Sequence, residues 1–142
     1  MSSIIVVMSL LYTFALPAPK QEKKKETISY RVFPYVYAKV WNNIVQIVIK
    51  DMGYLPEVAD PQEGFMSTQW KIMKGGGSKR DRRMRIHINV KRTQDGTLVT
   101  IRCEIEEFVP VGNTGKGKWV SLSSDNTCEA ELLDKLEEKL RK

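Results

Sequence analysis

The chain has 142 residues, enough for one domain with a substantial core and too few for two of ordinary size. Apolar residues make up 42% and charged residues 28%, which is the balance of a globular chain and excludes a disordered one. A net charge of +6 favours an anionic partner such as nucleic acid, lipid headgroups or acidic protein, with solubility alone as the plainer reading. A single histidine, His87, and two well-separated cysteines exclude His-rich and CxxC-type metal sites built from this chain alone. No metal or other cofactor is expected.

The chain opens "MSSIIVVMSLLYTFALPAP", with an apolar run over residues 4–16 interrupted by Ser9 and Thr13. As a helix this run spans about 20 Å, short of the roughly 30 Å of a bilayer core. It has the length of a signal-peptide hydrophobic region, and Thr13 and Ala15 supply small residues before a cleavage point. No Lys or Arg precedes it. Residues 1–16 are therefore expected to be a signal peptide or N-terminal anchor, with a buried or uncleaved segment as the alternative. No cysteine follows the run, so a lipobox is absent. Residues 17–27, "PAPKQEKKKET", read as a basic flexible tether. If the apolar run is retained, its lysines lie near anionic headgroups. Residues 28–142 form the expected domain.

"ISYRVF" (28–33) alternates and starts a sheet. Pro34 suits a first helical turn. Across residues 35–52, Val40, Trp41, Ile44, Ile47, Val48 and Met52 recur at helical spacing. Gly53 stands where a helix-terminating glycine belongs. "YLPEVADPQEGFMSTQWKIM" reads as two extended pieces around a turn at "DPQEG". On the second piece Met66, Thr68, Trp70 and Ile72 are expected to share one face.

The basic stretch "KGGGSKRDRR" then leads into strict alternation at Met84, Ile86, Ile88 and Val90. Asp95-Gly96 is a strong type I′ hairpin signal, because both central positions require positive φ. A two-residue Asp-Gly loop sets opposed residues at numbers summing to about 191. That register pairs Val90 with Ile101, Ile88 with Cys103 and Ile86 with Ile105 on one face. On the other face it pairs His87 with Glu104 and Arg85 with Glu106. After the Gly-rich "PVGNTGKG", "KWVSL" (118–122) is a last strand. The remainder is a terminal helix with the stripe Cys128, Leu132, Leu133, Leu136 and Leu140, and Asn126 with Glu129 at capping-box spacing. The order β-α-β-β-β-β-β-α implies an α+β two-layer, helix-grip-like fold, with a mostly antiparallel sheet and both helices packed on one face.

Residues 35–70, with "VWNNIVQIVIKDMGYLPEVADPQEGFMSTQW", resemble the helix-grip domains of the BamC-like bacterial envelope lipoproteins, the C component of the outer-membrane β-barrel assembly machine. The resemblance lies in a helix beginning near "VW", a "GY" stop, an extended piece, "AD" and a turn glycine, then a strand ending in Trp. The basic loop and long hairpin that follow also fit. It implies a periplasmic or outer-membrane-associated domain that binds other envelope proteins and performs no chemistry. The lipidated cysteine of that family is missing here, and the family supplies no catalytic residues.

The basic loop has three readings. It is a solvated connector; a docking site for envelope proteins or an anionic membrane surface through Lys74, Lys79, Arg80, Arg82 and Arg83; or a nucleic-acid grip using residues 74–92, where Asp81 is the one acid. Single-strand binding also wants aromatics to stack bases, and none lies in that segment, although Trp70 and Trp119 are candidates to lie beside it in the fold. A phosphate-binding P-loop is excluded, because these glycines precede a strand and their spacing is wrong. His87 opposite Glu104 is either a proton-transfer pair or, more simply, a cross-strand surface pair. Export favours a Cys103–Cys128 disulfide. Geometry favours buried thiols, since a bridge needs Cα atoms within about 7 Å whereas packed layers lie about 10 Å apart; the fringe of the helix leaves the bridge open. Trp41, Trp70 and Trp119 read as core or core-edge residues, and a cleft between helices and sheet is a further place for an apolar ligand. The sequence thus points to a non-catalytic envelope interaction protein. A nucleic-acid-binding module and a lipid- or small-ligand-binding cleft protein are the alternatives.

Overall fold

The computed structural model of the chain describes residues 28–142; the expected leader (1–16) and tether (17–27) lie outside the described residues. The elements in chain order are β1 (Ile28–Phe33), α1 (Tyr37–Val45) with a π-helical continuation (Gln46–Asp51), β2 (Pro56–Asp60), β3 (Phe65–Thr68), β4 (Lys71–Met73), β5 (Arg82–Thr93), β6 (Gly96–Pro110), β7 (Gly117–Leu122) and α2 (Thr127–Arg141). This is an α+β protein with an open antiparallel sheet and two helices on one face.

The long β5–β6 hairpin is the spine. On one side β6 pairs first with β1 and then with β7; on the other, β5 pairs with β3 and then with β4, and β2 extends β3. The sheet therefore has two zones along the hairpin. Helices roof the zone near the hairpin turn, where Val40, Trp41, Ile44, Ile47 and Val48 meet Ile86, Ile88, Val90, Val99 and Ile101, and the α2 leucines Leu132, Leu133, Leu136 and Leu140 complete the core. Beyond the Ile86–Cys103 rung, Met84 and Ile105 are only half-buried.

The hairpin faces agree with the alternation, but the register differs. Opposed numbers sum to 189: Val90 pairs with Val99, Ile88 with Ile101, Ile86 with Cys103, and Arg85 with Glu104. The loop residues are Gln94 and Asp95, neither at positive φ, so the turn is not type I′. Gly96 instead is the first residue of β6, with φ +143 and a would-be Cβ 2.1 Å from the Phe33 carbonyl oxygen. Glycine is required there by the close passage of the β1–α1 connection, not by the turn itself.

Helix α1 begins three residues after Pro34, with the Val36 carbonyl accepting from Lys39 and Val40. Its second half widens into π turns, with Met52 N–H donating to Ile47 O at 2.8 Å, and Gly53 follows at φ +76. The expected single strand over 65–72 is two strands. The β3–β5 register sums to 154 and the β4–β5 register to 155, so one extra residue is inserted near Gln69. This bulge flips the faces. Met66 and Thr68 point into the core, whereas Trp70 and Ile72 turn to the opposite side.

The seam between the two zones explains two buried polar residues. Ile86 and Cys103 face each other across the spine, in the gaps where β3 gives way to β4 and β1 to β7. Each N–H would lack a strand partner. Ile86 N–H donates to Thr68 Oγ1 at 3.0 Å, and Cys103 N–H donates to Glu129 Oε2 at 2.9 Å. Thr68 and Glu129 are both fully buried. Burying them is tolerable because each satisfies an otherwise orphaned amide. Glu129 therefore does not act in a capping box. Asn126 lies in the left-handed region at φ 75 with no side-chain cap bond, and the Ser124 hydroxyl donates to Glu129 Oε1 at 3.2 Å.

The same seam brings the cysteines together. Cys103 and Cys128 form a disulfide with Cα atoms 6.5 Å apart. The expectation of buried thiols assumed a full interlayer spacing. The first turn of α2 dips closer, where Glu129 reaches into the sheet. Arg31, on the helix side of β1, adds ion pairs to Asp134 (3.1 Å) and Glu137 (2.8 Å) of α2.

Candidate functional site

The loop between β4 and β5 folds back on itself around Asp81. Asp81 Oδ1 accepts the Gly75 N–H at 3.0 Å, and Oδ2 pairs with Lys74 Nζ at 3.3 Å. The Asp81 carbonyl accepts the Phe108 N–H at 2.9 Å, fastening the loop to β6. The Gly75 amide, then Lys74, hold the Asp81 carboxyl below its usual range against a smaller opposing effect of desolvation. A Cβ on Gly75 would fall 2.3 Å from the Lys79 and Arg80 carbonyl oxygens, so the close return of the loop demands glycine.

This loop walls a groove of about 810 Å³ over the unroofed zone of the sheet. Met73, Met84 and Ile105 supply an apolar floor, and Lys74, Lys79, Arg80 and Arg82 line its sides. Glu107 is the acid in that lining, and it pairs with both Arg80 (3.4 Å) and Arg82 (3.2 Å).

Four of the five basic residues singled out in the sequence thus meet at one place. Arg83 does not. Strand alternation sends it to the opposite face, where its guanidinium lies between the rings of Trp70 (4.2 Å) and Trp119 (4.5 Å). Arg85 stacks on Trp70 at 4.3 Å, and Phe108 meets Trp119 edge-on at 5.3 Å. Glu106 holds Arg83 at 2.6 Å, and Glu104 holds Arg85 at 2.6 Å. The result is a ladder of alternating guanidinium and indole groups whose charges are already paired. The bulge at Gln69 had no distinct sequence signal, and it alone carries Trp70 to this face. The alternation of Arg82 and Arg83 could have separated those two residues beforehand.

His87 lies opposite Arg102 rather than Glu104, yet its Nε2 still reaches Glu104 Oε1 diagonally at 2.6 Å. Desolvation raises the Glu104 pKa, but hydrogen bonds from Arg85 and His87 outweigh it and hold the carboxyl below its usual range. Ser67 stands across from His87 on β3, but it is Glu104 that His87 engages. Among the described residues no cluster of His, Cys, Asp and Glu is placed to hold a metal ion, and no helix is long and apolar enough to cross a membrane.

Fold and site together define an antiparallel α+β protein with a cationic, apolar-floored groove at the unroofed end of its sheet. No family model matches the chain, and no curated protein matches it. Among solved structures the chain is similar to a DUF4468 family protein from Bacteroides ovatus ATCC 8483, at 11% identity over 86% of this chain and 85% of that one, with a TM-score of 0.39.

Proposed function

We propose that the protein is a non-catalytic interaction protein of the bacterial cell envelope, periplasmic or outer-membrane-associated, which docks an anionic envelope partner or membrane surface through the cationic groove. The observation that carries this reading is the clustering of Lys74, Lys79, Arg80 and Arg82 around one groove with Glu107 as the acid among them. A cleft with such an excess of positive charge attracts anionic partners from a distance. The Cys103–Cys128 bridge supports an oxidising compartment. The nucleic-acid reading has less support. The indoles of Trp70 and Trp119, which would have to stack bases, are occupied by arginines on the face away from the groove.

The test combines location with binding. Untagged protein is fractionated and its N-terminus sequenced, and purified protein is floated with phosphatidylglycerol or phosphatidylcholine vesicles at rising salt. Binding to the anionic vesicles alone, lost on changing the four basic residues to Gln, is the expected result. A cytoplasmic protein that ignores anionic vesicles and is retained on DNA with a steep salt dependence would overturn the proposal.

A further inference from the structure

A surface that only docks on negative charge needs no apolar floor, and this groove has one. We propose that it is a binding site for a single amphiphilic anion, a phosphate monoester carried on an acyl- or prenyl-type chain. The inference rests on the docking role proposed above and names its ligand. Head and chain are each matched by something in the geometry.

The head is matched by charge. Asp81 neutralises Lys74, which leaves Lys79, Arg80 and Arg82 facing the single carboxylate of Glu107. Lys79 makes no ion pair among the described residues, and the two arginines share one acid at 3.2 and 3.4 Å. Three cations against one anion leave two positive charges unanswered. A phosphate monoester carries about −1.5 to −2 charge near neutral pH and offers three acceptor oxygens. Guanidinium groups bind such oxygens in pairs. A carboxylate would answer only one of the two charges.

The chain is matched by the floor. Met73, Met84 and Ile105 form an apolar strip continuous with the core rung at Ile86 and Cys103. Methionine is unbranched and polarizable, so it adapts to a flexible chain. The volume of about 810 Å³ lies in the range of pockets that enclose one small molecule, roughly 300–1,000 Å³. The groove lies on the helix side of the sheet, past the end of the packed core, so the chain would extend the core outward and roof the unroofed zone.

The test is calorimetric titration of the full chain with palmitoyl lysophosphatidate below its critical micelle concentration. Inorganic phosphate and palmitoyl lysophosphatidylcholine serve as controls. One-to-one binding at least tenfold tighter than either control is the expected result. Arg80→Gln should weaken lysophosphatidate at least tenfold. Met73→Gln, at a partly exposed strand position, should weaken lysophosphatidate by a similar factor while its circular dichroism spectrum and thermal midpoint stay those of the unaltered protein. The inference is overturned if inorganic phosphate binds as tightly as lysophosphatidate, if several molecules bind per chain, or if Met73→Gln leaves lysophosphatidate affinity intact. Those failures would leave vesicle docking standing. Loss of vesicle binding by the unaltered protein would instead remove the docking role itself.

Discussion

Replacing Cys103 and Cys128 together by Ala should cost the fold roughly 3–4 kcal/mol. The bridge closes a segment with a sequence separation of 25 residues. Loop-closure entropy for a segment of that length amounts to about 3.5 kcal/mol at room temperature. Cys103 is almost fully buried, so truncating it adds a packing loss of order 1 kcal/mol. Residual structure in the unfolded chain works in the other direction. The assay is urea unfolding followed by circular dichroism, for the oxidised protein, the same protein in reductant, and the double variant. The reduced wild type isolates the bridge, because it keeps both sulfur atoms. It should show a lower midpoint together with a steeper slope, since an uncrosslinked unfolded chain exposes more surface. Coincident oxidised and reduced curves would refute the reasoning. So would two free thiols titrated in the denatured, never-reduced protein.

Glu129→Ala should destabilise the protein by about 2–4 kcal/mol in the same urea assay, because it leaves the buried Cys103 N–H unpaired at the seam of the sheet. Arg83→Ala should cost about 2 kcal/mol, through loss of two stacked indoles and the Glu106 pair, and Arg83→Lys should recover little of it; thermal unfolding and Trp fluorescence report both changes. The Glu104 carboxyl is held below its usual pKa in the folded state, so its contribution is complete above the ordinary carboxylate range and disappears as pH falls through the folded value. Glu104→Gln should therefore cost on the order of 1 kcal/mol at pH 7, modest because the group is partly exposed, and almost nothing near pH 2; urea midpoints at the two pH values check the sign.

For the β5–β6 hairpin and the two helices, the sequence by itself determined which residues face the core. Period-2 alternation in β5 and β6 and the apolar stripes of both helices specify faces, and a face survives any register shift of two residues. That is why the core positions Ile86, Ile88, Val90, Ile101 and Cys103 were legible although the pairing among them was not; the two-residue shift puts Val99 opposite Val90 in the core and leaves Ile105, expected there, half-buried beside Met84. Register depended on where the turn closed, and the glycine at position 96 answered to Phe33, a contact 63 positions away in the chain. The clustering of basic residues in the 74–83 segment was also legible, because charge is a property of composition.

Tertiary structure decided the rest. The bulge near Gln69 inverted one strand face, carried Trp70 to Arg83, and so removed Arg83 from the groove that its four neighbours share. The gaps flanking the Ile86–Cys103 rung created unpaired amides, which drew Thr68 and Glu129 inward and brought Cys128 within reach of Cys103. These outcomes turn on backbone groups whose partners are missing only once all seven strands are in place. Local pattern carries no trace of them, because an amide becomes an orphan only when its neighbouring strand ends elsewhere in the fold.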